Sequence, residues 1–203
     1  MKPDLEYLKC LLEKAKDVFE KYECTDCDFP LAEISYIATK KHNHMGICLG
    51  IDSIVQMKKY KTKKVAKIRS NCNYYNKFYE IDGKVVRIDM YVAGHDRIDH
   101  SFIAYYERNY RYLFPYSGNV KTVGRIFVTH FQDDKVIEEY IVYGNQIVYN
   151  SYDYSVEGKV YNYYINYVPN GSYPILAESS GYFTIDTLDY FQDNCYVWYQ
   201  NRQ

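Results

Sequence analysis

The chain has 203 residues, 47% of them hydrophobic and 25% charged, with 25 Lys and Arg against 26 Asp and Glu. These are ordinary globular values, and a chain of this length buries roughly two-thirds to three-quarters of its unfolded surface, so its core requires neither disulfides nor metal. The balance excludes wholesale disorder, and no apolar run approaches the ~18 residues of a membrane-spanning helix.

Tyrosine is the outlier, with 27 copies beside 9 Phe and 1 Trp. Its ring packs well on a pleated surface and its hydroxyl tolerates a wet edge, so the excess suits strands and half-buried interfaces. A codon bias towards AT-rich triplets would raise tyrosine as well. The opening Met1-Lys2-Pro3-Asp4 runs directly into an amphipathic pattern with no apolar core of a secretory signal, so a cytoplasmic location without membrane association is expected. The scattered cysteines (Cys10, Cys24, Cys27, Cys48, Cys72, Cys195) are then expected as thiols.

The first predicted element is a helix over residues 4–22. Leu5, Leu8, Leu12, Ala15, Phe19 and Tyr22 recur every three or four residues, and Asp4 suits the N-cap. Such a stripe is expected to dock on a sheet. Residues 23–30 read as a loop. Leu31–Ile37 and Ile51–Lys59 read as short helices separated by a turn at His42–Gly46.

From about residue 65 the hydrophobic period changes to two. Strands are predicted at 76–81, 85–92, 101–107, 124–131, 135–143, 147–154 and 159–168, with turns at Asp82-Gly83, Asp133-Asp134, Gly144-Asn145 and Glu157-Gly158. Residues 181–199 fit either a further strand pair or a short helix. Connections this short make antiparallel neighbours. Alternation places Val136, Glu138, Tyr140 and Val142 on one face of their strand and Ile137, Glu139, Ile141 and Tyr143 on the other. Likewise Tyr161, Tyr163, Ile165 and Tyr167 oppose Asn162, Tyr164 and Asn166. One face is apolar; the other mixes rings with Asn, Asp and Glu, as in a sheet with one wet side.

The expected fold is therefore α+β: an N-terminal helix, or helices, packed on a large, curved antiparallel meander of about seven strands. A single domain spans 1–203, with 1–64 mainly helical and 65–203 forming the sheet.

Four constellations carry possible chemistry. Cys24 and Cys27, with His42 and His44, supply two thiolates and two imidazoles for tetrahedral zinc, although the histidines lack the usual ligand gap. His95, Asp96, Asp99 and His100 could serve acid–base or metal chemistry, and otherwise form a polar loop. The run Lys58, Lys59, Lys61, Lys63, Lys64, Lys67 and Arg69 makes a positive field suited to nucleic acid, or to a solvated linker. The fourth is the acidic, tyrosine-rich sheet: Glu138, Glu139, Tyr143, Tyr152, Asp153, Tyr154, Glu157 and Tyr164 could bind a basic protein, carboxylates steering and tyrosines anchoring.

Charge is unevenly spread. Residues 133–203 hold ten acids (Asp133, Asp134, Glu138, Glu139, Asp153, Glu157, Glu178, Asp186, Asp189, Asp193) against three bases (Lys135, Lys159, Arg202), a net of −7; the remainder carries 22 bases and 16 acids, or +6. No phosphate-binding glycine loop, nucleophile elbow, HExxH or GxGxxG occurs. The favoured function is a non-enzymatic protein that neutralises a basic protein partner, as an immunity protein or phage-encoded inhibitor does, with no cofactor. The alternatives are a metal-dependent enzyme acting on nucleic acid or nucleotide through the His95–His100 loop, and a small-ligand-binding β module.

Overall fold

The computed structural model describes residues 2–24, 27–39, 64–68, 74–92, 98–169 and 175–197. One helix, α1 (Leu5–Lys21), precedes thirteen strands among the described residues. The class is α+β as expected, but the strands are nearly twice as many as the expected seven. The chain divides into two compact units: a helix-bearing unit of Met1–Lys21 with Arg125–Gln203, and a central unit of Tyr22–Gly124. No described helix is long and apolar enough to cross a membrane.

Helix α1 starts where the sequence says. The Tyr7 amide donates 2.7 Å to Asp4 Oδ1, satisfying one of the amides that a helix N-terminus leaves open. Its buried stripe is Leu8, Leu11, Leu12 and Ala15.

In the helix-bearing unit six strands form an unbroken antiparallel meander: β8 (Ile126–Gln132), β9 (Lys135–Tyr143), β10 (Gln146–Asp153), β11 (Lys159–Tyr167), β12 (Ile175–Thr184) and β13 (Tyr190–Val197). The register aligns Val128, Tyr140, Tyr149 and Ile165 across four strands. Ile126, Val142, Ile147 and Tyr167 form the next row. Both rows are buried, and α1 lies over this face, with Tyr7 reaching Glu138 and Lys2 reaching Glu178. The opposite face carries Phe127, Thr129, Glu139, Asn150, Tyr152, Asn162 and Tyr164.

The central unit contains β1 (Glu33–Thr39), β2 (Lys64–Val65), β3 (Tyr74–Ile81), β4 (Lys84–Val92), β5 (Ile98–Glu107), β6 (Tyr110–Ser117) and β7 (Val120–Lys121). They pair in the order β6-β5-β4-β3-β1-β2, with β7 on β6, and every pairing is antiparallel.

Two expectations need correcting, the helix at 31–37 and the missing strand between 107 and 124. Residues 31–37, read as a short helix, lie largely in β1, where seven cross-strand pairs with β3 outweigh any local helical preference. The expected second helix, Ile51–Lys59, and the turn at His42–Gly46 lie outside the described residues. Strand β6 was not anticipated: Arg111 to Tyr116 are all buried, so the strand reads as a continuous run instead of an alternation. Over the described residues 181–197 the strand-pair reading holds, as the end of β12 and as β13.

Gly181 shows why the last hairpin closes. A Cβ there would run into the Phe191 carbonyl oxygen and the Tyr190 ring. Only glycine lets β13 approach β12 this closely, at the register shift that leaves Asp193 as the extra residue on β13.

Candidate functional site

The ten acids of residues 133–203 separate into two groups on folding. Glu138, Glu139 and Glu178 turn inward. Glu138 lies on the face beneath α1. It accepts hydrogen bonds from Tyr149 Oη at 2.7 Å and from Tyr7 Oη at 3.0 Å to each oxygen, and His130 Nδ1 lies 3.1 Å away. Burial, and then the Glu138 charge, push the Tyr149 phenol well above its ordinary pKa, so it remains a donor. Glu139 points to the other face, is 5% exposed and accepts from Tyr152 Oη at 3.2 Å. Glu178 pairs with Lys2 Nζ at 2.7 Å.

The other seven acids, Asp133, Asp134, Asp153, Glu157, Asp186, Asp189 and Asp193, are all exposed. Six of them flank or occupy three turns, β8–β9, β10–β11 and β12–β13. In a meander, alternate turns fall at the same end. The Ile185 amide indeed donates 2.9 Å to the Gly158 carbonyl, joining two of these turns directly. Asp133 and Asp134 both have positive φ, 48° and 60°, which aspartate tolerates better than most residues and which a two-residue hairpin turn demands. The Gly144-Asn145 turn, at the opposite end, has no acid.

Bases at the acidic end are few and engaged. Lys135 Nζ lies 5.2 Å from the Tyr154 ring centroid and Lys159 Nζ 4.4 Å from that of Tyr182. The charge imbalance seen in the sequence is therefore concentrated at one end of this unit. An acidic end of this kind attracts cations over a Debye length of about 8 Å at physiological salt.

The predicted partner-binding residues do not converge on one surface. Glu139, Tyr152 and Tyr164 share the face opposite α1, where Tyr152 is buried and Tyr164 half-buried. Asp153, Tyr154 and Glu157 belong to the acidic end; Tyr154 Oη donates 2.8 Å to the Val136 carbonyl, and the Ser155 amide donates 2.8 Å to Asp153. Tyr143 is 58% exposed but sits beside the opposite turn. Glu138 lies under the helix.

The remaining candidates are scattered or outside the described residues. Cys24 and Cys27 are near one another, with Cys27 Sγ 3.8 Å from the Cys24 carbonyl, while His42 and His44 lie outside the described residues. Among the described residues no group of three or more His, Cys, Asp or Glu is arranged to hold a metal. His95 and Asp96 lie outside; Asp99 and His100 fall in β5, and the His100 ring is exposed. Of the basic run, Lys64 pairs with Glu80 at 2.5 Å and Lys67 is exposed, while Lys58, Lys59, Lys61, Lys63 and Arg69 lie outside.

Sequence reasoning missed one polar centre. In the central unit the fully buried Asp89 accepts from Arg87 Nε at 2.8 Å, Ser101 Oγ at 2.7 Å and Tyr79 Oη at 2.9 Å. Arg87 also donates 2.8 Å to the Cys27 carbonyl, fastening the segment after Tyr22 to β4. Two charged residues at i and i+2 in a strand share a face, and that was the only sequence signal. Its bonds tie β3, β4 and β5 together.

Compared with models of protein families, with curated proteins and with solved structures, the chain matches none.

Proposed function

We propose that the protein is a non-enzymatic binding protein that neutralises or inhibits a basic protein partner in the cytoplasm, in the manner of an immunity protein or a phage-encoded inhibitor. The observation that carries this is the acidic end: seven exposed carboxylates, six of them around three neighbouring turns, against two lysines already engaged with tyrosine rings. Such a field speeds encounter with a basic surface and penalises acidic ones, which gives a binding protein both rate and specificity.

Folding also moves the expected surface. The acids with the freedom to meet a partner are those of the turns, because Glu138 and Glu139 are engaged inside the unit. Asp153, Tyr154 and Glu157 remain part of the interface; Tyr152 and Glu139 support the strands behind it.

The test is capture of a stoichiometric basic partner by the tagged protein, repeated with Asp153→Lys, Glu157→Lys and Asp186→Lys combined. Association should slow by about tenfold or more at low salt, while thermal stability changes little. Undiminished capture by the triple variant, or a partner with no basic surface, would sink the proposal.

A further inference from the structure

The acidic end has an apolar centre. Val156, Ile185 and Phe191 are among the large hydrophobic side chains exposed in this structure, at 43%, 50% and 47%. The hydrogen bond from Ile185 to Gly158 brings the turns bearing Ile185 and Val156 side by side. The register continues the patch across three strands. Tyr161, Tyr182 and Phe191 are cross-strand partners on β11, β12 and β13. Their rings lie in a row, Tyr161 to Tyr182 at 5.6 Å and Tyr182 to Phe191 stacked at 5.1 Å and 17°. Scattered exposed apolar residues need no explanation, but adjacent ones rimmed by charge mark an interaction surface.

We propose that this patch docks the basic partner of the preceding section, on which proposal it rests, and that an arginine side chain of that partner stacks on the Phe191 ring. Three observations select that occupant. The inner face of Phe191 is against Tyr182, so its outer face is the one open to a ligand. The row already receives a cation, since Lys159 Nζ lies 4.4 Å from the Tyr182 centroid. Exposed carboxylates stand two residues to either side, Asp189 and Asp193. A planar guanidinium can lie on a ring and still pair in bidentate fashion with a carboxylate, whereas an ammonium cannot do both equally well.

A second copy of this chain is the obvious competitor for an outermost strand. Charge argues against it. The described part of β13 carries Asp193 and no base, and Asp189 precedes it. Self-pairing would set like charges together.

The probes are octa-arginine and octa-lysine peptides, titrated into isotopically labelled protein at low salt with amide shifts recorded. The shifts should concentrate at residues 154–159 and 185–195, and octa-arginine should bind about fivefold tighter than octa-lysine. Phe191→Leu keeps an apolar side chain but removes the π face, so it should weaken octa-arginine more than octa-lysine and erase the arginine preference; the dispersion of the remaining amides shows that the variant is folded. Equal affinity for the two peptides, or shifts spread over the acids without the patch, overturns the arginine seat. If the triple lysine variant still loses its captured partner in that case, the binding-protein function survives alone. If capture is indifferent to charge reversal, both fall. Concentration-dependent dimers that Phe191→Leu disperses would assign the patch to a second copy and overturn the proposal.

Discussion

The two units bury a carboxylate in different ways. In the central unit, Asp89 is fully enclosed and paired with a guanidinium, and its partners Arg87, Ser101 and Tyr79 come from three neighbouring strands. In the helix-bearing unit, Glu138 has a side chain 14% exposed, and it is held by two phenols and an imidazole, one phenol coming from α1. The first arrangement joins three strands and ties them to the backbone at Cys27. The second clasps a helix to a sheet. A charge at zero exposure needs a counter-charge, while one near the edge of a helix–sheet layer can be held by phenol donors and residual water.

The largest effect should come from breaking the ion pair. Arg87→Ala leaves Asp89 buried without a cation and removes the tie to Cys27, and should cost about 3–5 kcal/mol in urea denaturation. Replacing both partners by apolar residues, as in Arg87→Met with Asp89→Leu, should recover much of that loss, because neither charge is then desolvated. If the single variant proves near neutral, Asp89 is not dependent on Arg87 and the contrast between the units disappears.

The clasp should yield in steps. Tyr149→Phe removes a buried donor to a charged acceptor and should cost about 1.5–3 kcal/mol. Tyr7→Phe removes the donor from the helix, but that residue is 38% exposed and water can replace it, so the loss should stay below about 1 kcal/mol. Hydrogen exchange separates them: Tyr7→Phe should loosen amides at the start of α1 and spare β9 and β10. Uniform loosening by both would mean that the helix and the sheet open as one.

These side-chain roles were only partly legible. Alternation assigned the faces of β9 and β11 correctly, and it set Glu138 among Val136, Tyr140 and Val142, the face that the helix covers. Glu138 was nevertheless read as a surface acid, because a carboxylate in a strand is ordinarily solvated; its position in an apolar row was the better guide. Strand β6 escaped because burial on both faces removes the period of two, and Pro115 within it argues against a central strand. Strand β12 escaped because Ala177-Glu178-Ser179-Ser180-Gly181 has no apolar alternation. With residues 181–199 open between a strand pair and a short helix, the turns could not be counted through to residue 189. Their acids were visible as charge but not as one end of a sheet.

The smallest effect concerns Glu178, on the same sheet face as Glu138 and paired with Lys2 just before α1. Burial alone would raise the Glu178 pKa, but the hydrogen bond and charge of Lys2, with the Tyr163 phenol nearby, outweigh it and hold the carboxyl below its ordinary value. A carboxyl depressed in the folded state stabilises that state above its unfolded pKa, near 4.3 for glutamate, and loses this contribution as the pH falls through the folded value. The Lys2 side chain is 59% exposed, so the pair is screened and is worth about 0.2–1 kcal/mol. Lys2→Met should therefore lower the thermal midpoint slightly at pH 7, and the deficit should close towards pH 3 as Glu178 gains its proton. A deficit of constant size across that range would mean that Lys2 acts through packing over the Tyr163 ring, 5.8 Å from its ammonium, and not through charge. In that event the described polar ties of the N-terminal segment to the sheet would rest on Glu138 and on the Lys16 hydrogen bond to Asn145, and the contrast with Asp89 would narrow to Glu138.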